Sequence, residues 1–174
     1  MALALAGLAS GQTKPKDVYG WRKVTWGMTV ADAKAAFGDQ ASDPAETPLP
    51  AGVLFVQFIV KDVKFGDINT KAAIETKVGS NLVSAVEIFA ADWMEHPTDR
   101  ATDGAKFTTL KALLIEKYGA PKNQGSTTDD IELGRTVDWI FPSTSISLRW
   151  SEASAAKYTG NVTISYHAVD KKAR

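Results

Sequence analysis

The chain holds two histidines, His96 and His167, and no cysteine. Only His96 and His167 could therefore serve as imidazole ligands or bases. The missing thiols remove disulfides, thiolate zinc sites and cysteine nucleophiles together. Neither a Gly-rich phosphate loop, nor Gly-x-Ser-x-Gly, nor His-Glu-x-x-His occurs. Three polar groupings remain. Asp92, Glu95, His96 and Asp99 offer donors for a divalent cation, but their spacing meets no ligand rule and reads as a solvated connection. Asp129-Asp-Ile-Glu132 lacks the glycine-containing twelve-residue calcium loop and also reads as solvated. The third grouping is Asp138, Arg149 and His167, an acid, a guanidinium and an imidazole in three successive strand-like segments. Such a set suits general acid–base chemistry or, more simply, cross-strand pairing on the wet face of a sheet. No catalytic residue, metal site or cofactor motif is assigned.

Strand alternation is what puts those three residues together. Val137, Trp139 and Phe141, then Ile146, Leu148 and Trp150, then Val162, Ile164 and Tyr166 fall on one face. Asp138, Arg149 and His167 fall on the other with Thr136, Ser145, Ser147, Thr163 and Ser165, because side chains alternate with a period of two. Earlier strands are expected at Val53–Val60, Ala72–Val78 and Leu82–Phe89, with Gly79-Ser-Asn81 as a hairpin turn and a short strand at Phe65–Ile68. Pro142-Ser-Thr144 supplies a later turn. Two helices complete the set. Thr29 is a natural N-cap for a helix ending Phe37-Gly38, with Asp32 in the capping-box position. Phe107, Leu110, Leu114 and Tyr118 make the apolar stripe of a second helix, from about Gly104 to Tyr118, with Asp103 as its N-cap and Gly119 as its stop.

This order predicts an α+β fold of two similar helix-then-antiparallel-strands units, with the helices packed on one face of the sheet. The units would span 18–91 and 92–168 of one domain over 18–168, followed by a basic tail at 169–174. Residues 1–17 read as a signal-peptide remnant or disordered lead. Ala2 to Ala9 is apolar and small, and Gly7 and Ala9 suit the −3 and −1 positions of a signal-peptidase site. Eight apolar residues cannot cross a bilayer, so no transmembrane segment is expected. At 174 residues, 44% hydrophobic and 23% charged, the composition is that of a globular chain. Twenty basic residues balance twenty acidic ones, which argues against a nucleic-acid partner.

Tyr19-Gly-Trp-Arg-Lys-Val-Thr-Trp-Gly-Met-Thr29, running into a helix that ends Phe37-Gly38, and the later Tyr118-Gly-Ala-Pro121 carry a family resemblance. Over about residues 18–168 the chain resembles small exported bacterial proteins of the β-lactamase-inhibitor-protein type, and the single-unit outer-membrane-assembly small lipoproteins. The resemblance implies the tandem fold and a binding rather than catalytic role. The chain has neither the lipid-bearing cysteine of the one group nor the disulfide-forming cysteines of the other.

The expected function is accordingly an exported, periplasmic or secreted, non-catalytic protein-binding module. Its partner would be a protein of the cell envelope or an extracellular protein. Trp93, Tyr158 and Arg149 are contact candidates beside Asp138 and His167, since interfaces favour aromatic residues and arginine. A small hydrolase using carboxylates or His167, and a small-molecule or lipid carrier, are the alternatives.

Overall fold

A computed structural model describes residues 14–44, 54–90, 100–128, 132–153 and 159–169. The chain runs β1 (Gly20–Trp21), β2 (Val24–Thr25), α1 (Val30–Phe37), β3 (Ala41–Ser42), β4 (Leu54–Phe65), β5 (Ile68–Lys77) and β6 (Val83–Ala90). It continues with α2 (Arg100–Tyr118), β7 (Asn123–Thr128), β8 (Glu132–Ile140), β9 (Thr144–Ala153) and β10 (Thr159–Ala168). Beyond the small β1–β2 hairpin, the strands form one eight-stranded antiparallel sheet in the order β3-β4-β5-β6-β10-β9-β8-β7.

The two-unit α+β expectation is therefore corrected. The described chain is mostly β, with helices of only 8 and 19 residues, and the sheet runs without a break from one edge to the other. Several strands lacked the expected signal. In β7, Asn-Gln-Gly-Ser-Thr-Thr has no apolar alternation and reads as loop, yet it pairs with β8 along its whole length. Phe65–Ile68 is not a strand but the closure of a hairpin, with Gly66 at φ 56 in the two-residue turn between β4 and β5. That turn lengthens both strands beyond their apolar runs. The charged Lys61-Asp-Val-Lys64 stretch stays in β4 through a bulge between Val60 and Val63, and Asp62 takes φ 54 there.

Each helix end follows from its residues. Thr29 accepts the Asp32 amide through its hydroxyl at 3.1 Å and donates to the Asp32 carboxylate at 2.6 Å. Only Ala33 and Phe37 of this short helix are buried, against Trp21 and Phe58. The second helix begins at Arg100, so Asp103 lies inside its first turn rather than capping it; its buried carboxylate is 3.8 Å from the Lys106 ammonium. A Cβ on Gly104 would meet the Trp150 ring at 3.2 Å, which explains a glycine where a helix prefers alanine. Phe107, Leu110, Leu114 and Tyr118 form the expected stripe and are buried. Gly119 ends the helix at φ 88, and its carbonyl accepts the Trp139 indole N–H at 2.8 Å.

Both helices pack on the same face of the sheet. Phe58, Val60, Ile74, Val86, Ile88, Val137, Trp139, Ile146, Leu148, Ile164 and Tyr166 supply its side of a single apolar core. The Trp26-Gly27-Met28 segment bonds to the start of β6, through Gly27 N–H to Val83 O and Val83 N–H to Met28 O, and the Trp26 indole donates to Thr144 at 2.6 Å. Residues 14–17 lie along the molecule. The Lys14 ammonium donates to the Glu116 carbonyl at the end of α2, and Asp17 accepts from both the amide and the hydroxyl of Ser143 in the β8–β9 turn.

Candidate functional site

The face turned away from the helices is polar, and alternation puts it there. Three rows of side chains cross it. The first joins Asn123, Asp138, Ser147, Ser165, Glu87 and Ala73 from β7 to β5. A second joins Thr136, Arg149, Thr163, Phe89 and Lys71. The third joins Ser145, His167, Ala85 and Glu75. The middle of the face is floored by alanines and serines, so longer side chains stand around small ones.

Asp138, Arg149 and His167 occupy this one face, as alternation requires, but they do not converge. Asp138 accepts the Ser147 hydroxyl at 2.8 Å. Arg149 pairs across the ladder with Thr163, whereas His167 is four residues further along the same strand, about 13 Å away at strand rise. Trp93 and Tyr158 lie outside the described residues, as do Asp92, Glu95, His96 and Asp99, and Asp129 to Ile131.

What gathers instead is a set the sequence did not single out, Glu75 and Glu87. Glu87 stands opposite Ser165 and Ala73, and Glu75 opposite Ala85, so the two carboxyls are diagonal neighbours on β5 and β6. His167 flanks Ala85 from the other side. Glu75 is 8% exposed. Burial, reinforced by the neighbouring Glu87 carboxylate, pushes its carboxyl up to about 7. Burial also raises Glu87, against the opposing pull of the Arg149 guanidinium. Desolvation lowers the half-buried His167 imidazole and favours its neutral form. Among the described residues, no group of three or more histidine and carboxylate side chains is placed to hold a metal ion.

On the other side of the sheet, the cleft under α2 is lined by Ile68, Thr70, Ile88, Leu110, Val162 and Ile164 and offers about 10 Å³, room for about one water. A lipid or a drug-sized molecule does not fit that cleft. None of the described helices is long and apolar enough to cross a membrane.

The signal that would have found the pair was present in part. Glu75 and Glu87 interrupt two otherwise apolar strands, Ala72-Ala-Ile-Glu-Thr and Val83-Ser-Ala-Val-Glu-Ile. A carboxylate in such a run faces away from the core by alternation. That β6 would lie beside β10, next to His167 and within reach of Arg149, is not written in either segment. No family model, curated protein or solved structure matches the chain, so the resemblance rests on its sequence motifs alone.

Proposed function

We propose that the chain is a non-catalytic binding module that engages a protein across the face of the sheet turned away from the helices. The observation that carries this reading is the row Asn123, Asp138, Ser147, Ser165 and Glu87. It is an unbroken line of hydrogen-bonding side chains over five strands, set on a surface rather than around a cavity. Protein interfaces of modest affinity use such polar surfaces, with arginine among their stronger contacts. The apolar Ala2–Ala9 stretch, with small residues where a signal peptidase would cut, supports action outside the cytoplasm. A cell-envelope or extracellular protein is then the partner class.

Affinity capture from the native cell-envelope fraction tests this. Wild type and an α2-surface control, Glu116→Lys, should recover the same protein in stoichiometric amount. The double variant Asp138→Lys/Arg149→Glu should lose it. Equal recovery by all three would refute the face as the interface.

A small hydrolase is the second reading. It is favoured by a carboxyl raised to about 7 and an imidazole shifted down on either side of Ala85. Turnover of ester, amide or glycoside chromogenic substrates that disappears in Glu75→Gln would support it. Turnover by neither protein would reject it for those substrates.

A further inference from the structure

The two edges of the sheet are built differently. At one edge β3 spans only Ala41–Ser42, and the rest of β4 carries features that discourage a further strand. Register breaks between Val56 and Phe58 and between Val60 and Val63 kink it, and Lys61 and Lys64 stand exposed beside Asp62. Bulges, lysines and a very short outer strand are the usual guards of a sheet edge. β7, at the other edge, has none of them. Asn123-Gln-Gly-Ser-Thr-Thr128 holds no charge and no proline, and its ladder runs from Asn123 opposite Asp138 to Thr128 opposite Leu133 without a register shift. Among the described residues no strand lies on its outer side. An antiparallel ladder uses the N–H and C=O groups of alternate residues, so the remaining ones along β7 point outward.

Lys122 to Ser126 are exposed, and a Cβ on Gly125 would meet nothing within 4 Å. α2 packs over β9 and β10, set back from this edge, and reaches β7 through the Lys111 ammonium, which donates to Gln124 at 2.7 Å. The bonded run begins one residue before the strand, because the Lys122 amide donates to the Asp138 carbonyl at 2.7 Å. That run is 122–128, and Gly125 is its midpoint.

We propose that β7 pairs antiparallel with β7 of a second copy of this chain, about a two-fold axis normal to the sheet through Gly125. Alternation and symmetry fix that register. Residues opposite one another in an antiparallel pair share a face, so a two-fold axis must set a residue against itself. With the axis at Gly125, Asn123 stands opposite position 127 of the second copy, Gln124 opposite Ser126, and Lys122 opposite position 128. Charge favours this occupant. The run's one cation, Lys122, meets an uncharged residue, and no like charges face each other along the pair. Pairing fills the outward N–H and C=O groups of both copies, the source of affinity in strand addition. The axis keeps both helices on one side, so the two polar faces join into a single wider surface. This inference is independent of which protein that surface engages.

Sedimentation equilibrium of the full chain over a concentration series tests the association. The mass should rise from monomer to dimer and stop there, since a two-fold pair closes on itself. Gly125→Lys sets two ammonium groups against each other and should weaken association about fivefold. Gly125→Thr, uncharged and well suited to a strand, should associate at least as tightly as wild type. Because the chain has no cysteine, Gly125→Cys reports the register directly. Facing Cα atoms in such a pair lie about 4.5–5.5 Å apart, inside the roughly 4.4–6.8 Å that a disulfide spans. Mild oxidation should therefore link the copies through position 125, and not in Asn123→Cys, whose twin is displaced along the strand. A chain that stays monomeric and unlinked at every concentration overturns the proposal. A dimer that Gly125→Lys leaves intact overturns it by placing the contact elsewhere, and equal linking at 123 and 125 overturns it as random collision. If the chain is monomeric but Gly125→Lys loses the partner recovered from the cell envelope, the edge takes a strand of another protein and self-pairing is wrong. The polar-face reading is judged separately, by capture with Asp138→Lys/Arg149→Glu.

Discussion

Glu75 carries a proton further up the pH scale than a glutamate in water, and the sign of its effect on stability follows. In the unfolded chain the carboxyl ionises near 4.5, and in the folded chain near 7. Between those values the unfolded state releases its proton first, so stability falls as pH rises from about 4.5 to somewhat above 7. The full effect is on the order of 3 kcal/mol. Glu75→Gln should remove that slope and leave the protein about 1–3 kcal/mol more stable than wild type at pH 8, with little difference at pH 5. Urea unfolding at the two pH values measures it, and an unchanged slope in the variant would contradict the assignment. At this scale alternation alone placed Asp138, Arg149 and His167 on one face. It did not show that Asp138 would be occupied by Ser147 or that His167 would stand away from Arg149. Those depend on register, which one segment read by itself does not contain.

Among the elements, the segment at residues 14–17 makes the clearest prediction, because Asp17 ties it to the β8–β9 turn. Desolvation works against the Asp17 charge. The Ser143 amide and hydroxyl and the Val18 amide outweigh it and hold the carboxyl below its ordinary value. Stability from this contact is present above the usual carboxylate range and lost as pH falls through the lowered value. Asp17→Ala should speed hydrogen exchange at the Ser143 amide roughly tenfold at pH 7, with no comparable change at Trp139 in the core. The Thr29 cap is more ordinary. Thr29→Ala should cost about 1 kcal/mol, read as a lower midpoint in urea. Both helices were legible because an apolar stripe and a terminal glycine agree locally, and in α1 because Thr29 caps it as well. The early start of α2 and the strand β7 were not. The first turn of α2 lies ahead of its apolar stripe, and β7, without apolar alternation, is held by ladder bonds to β8 and by the Lys111 ammonium of α2 donating to Gln124.

For the molecule as a whole, the decisive feature is the seam where β6 meets β10. Ile88 lies opposite Ile164 and Val86 opposite Tyr166, all four buried in the core that the helices share. A sheet continuous through that seam should unfold as one unit. Urea transitions followed by far-UV circular dichroism and by tryptophan fluorescence should coincide. Ile88→Ala should shift both midpoints together, at a cost of about 2–5 kcal/mol. Two separated transitions would mean that the parts before and after α2 are independent.

The sequence by itself determined which faces are apolar, where the first helix caps and both helices stop, the turns at 79–81 and 142–144, and which residues of the last three strands point away from the core. These are local properties, set by side-chain type over a few residues. Only the tertiary structure decided that the strands form one sheet, that the polar strand β7 belongs to it, and that two glutamates from earlier strands join the polar face. The reason is that β6 and β10 are far apart in sequence, and nothing in either fixes the other as its neighbour until the shared core is buried.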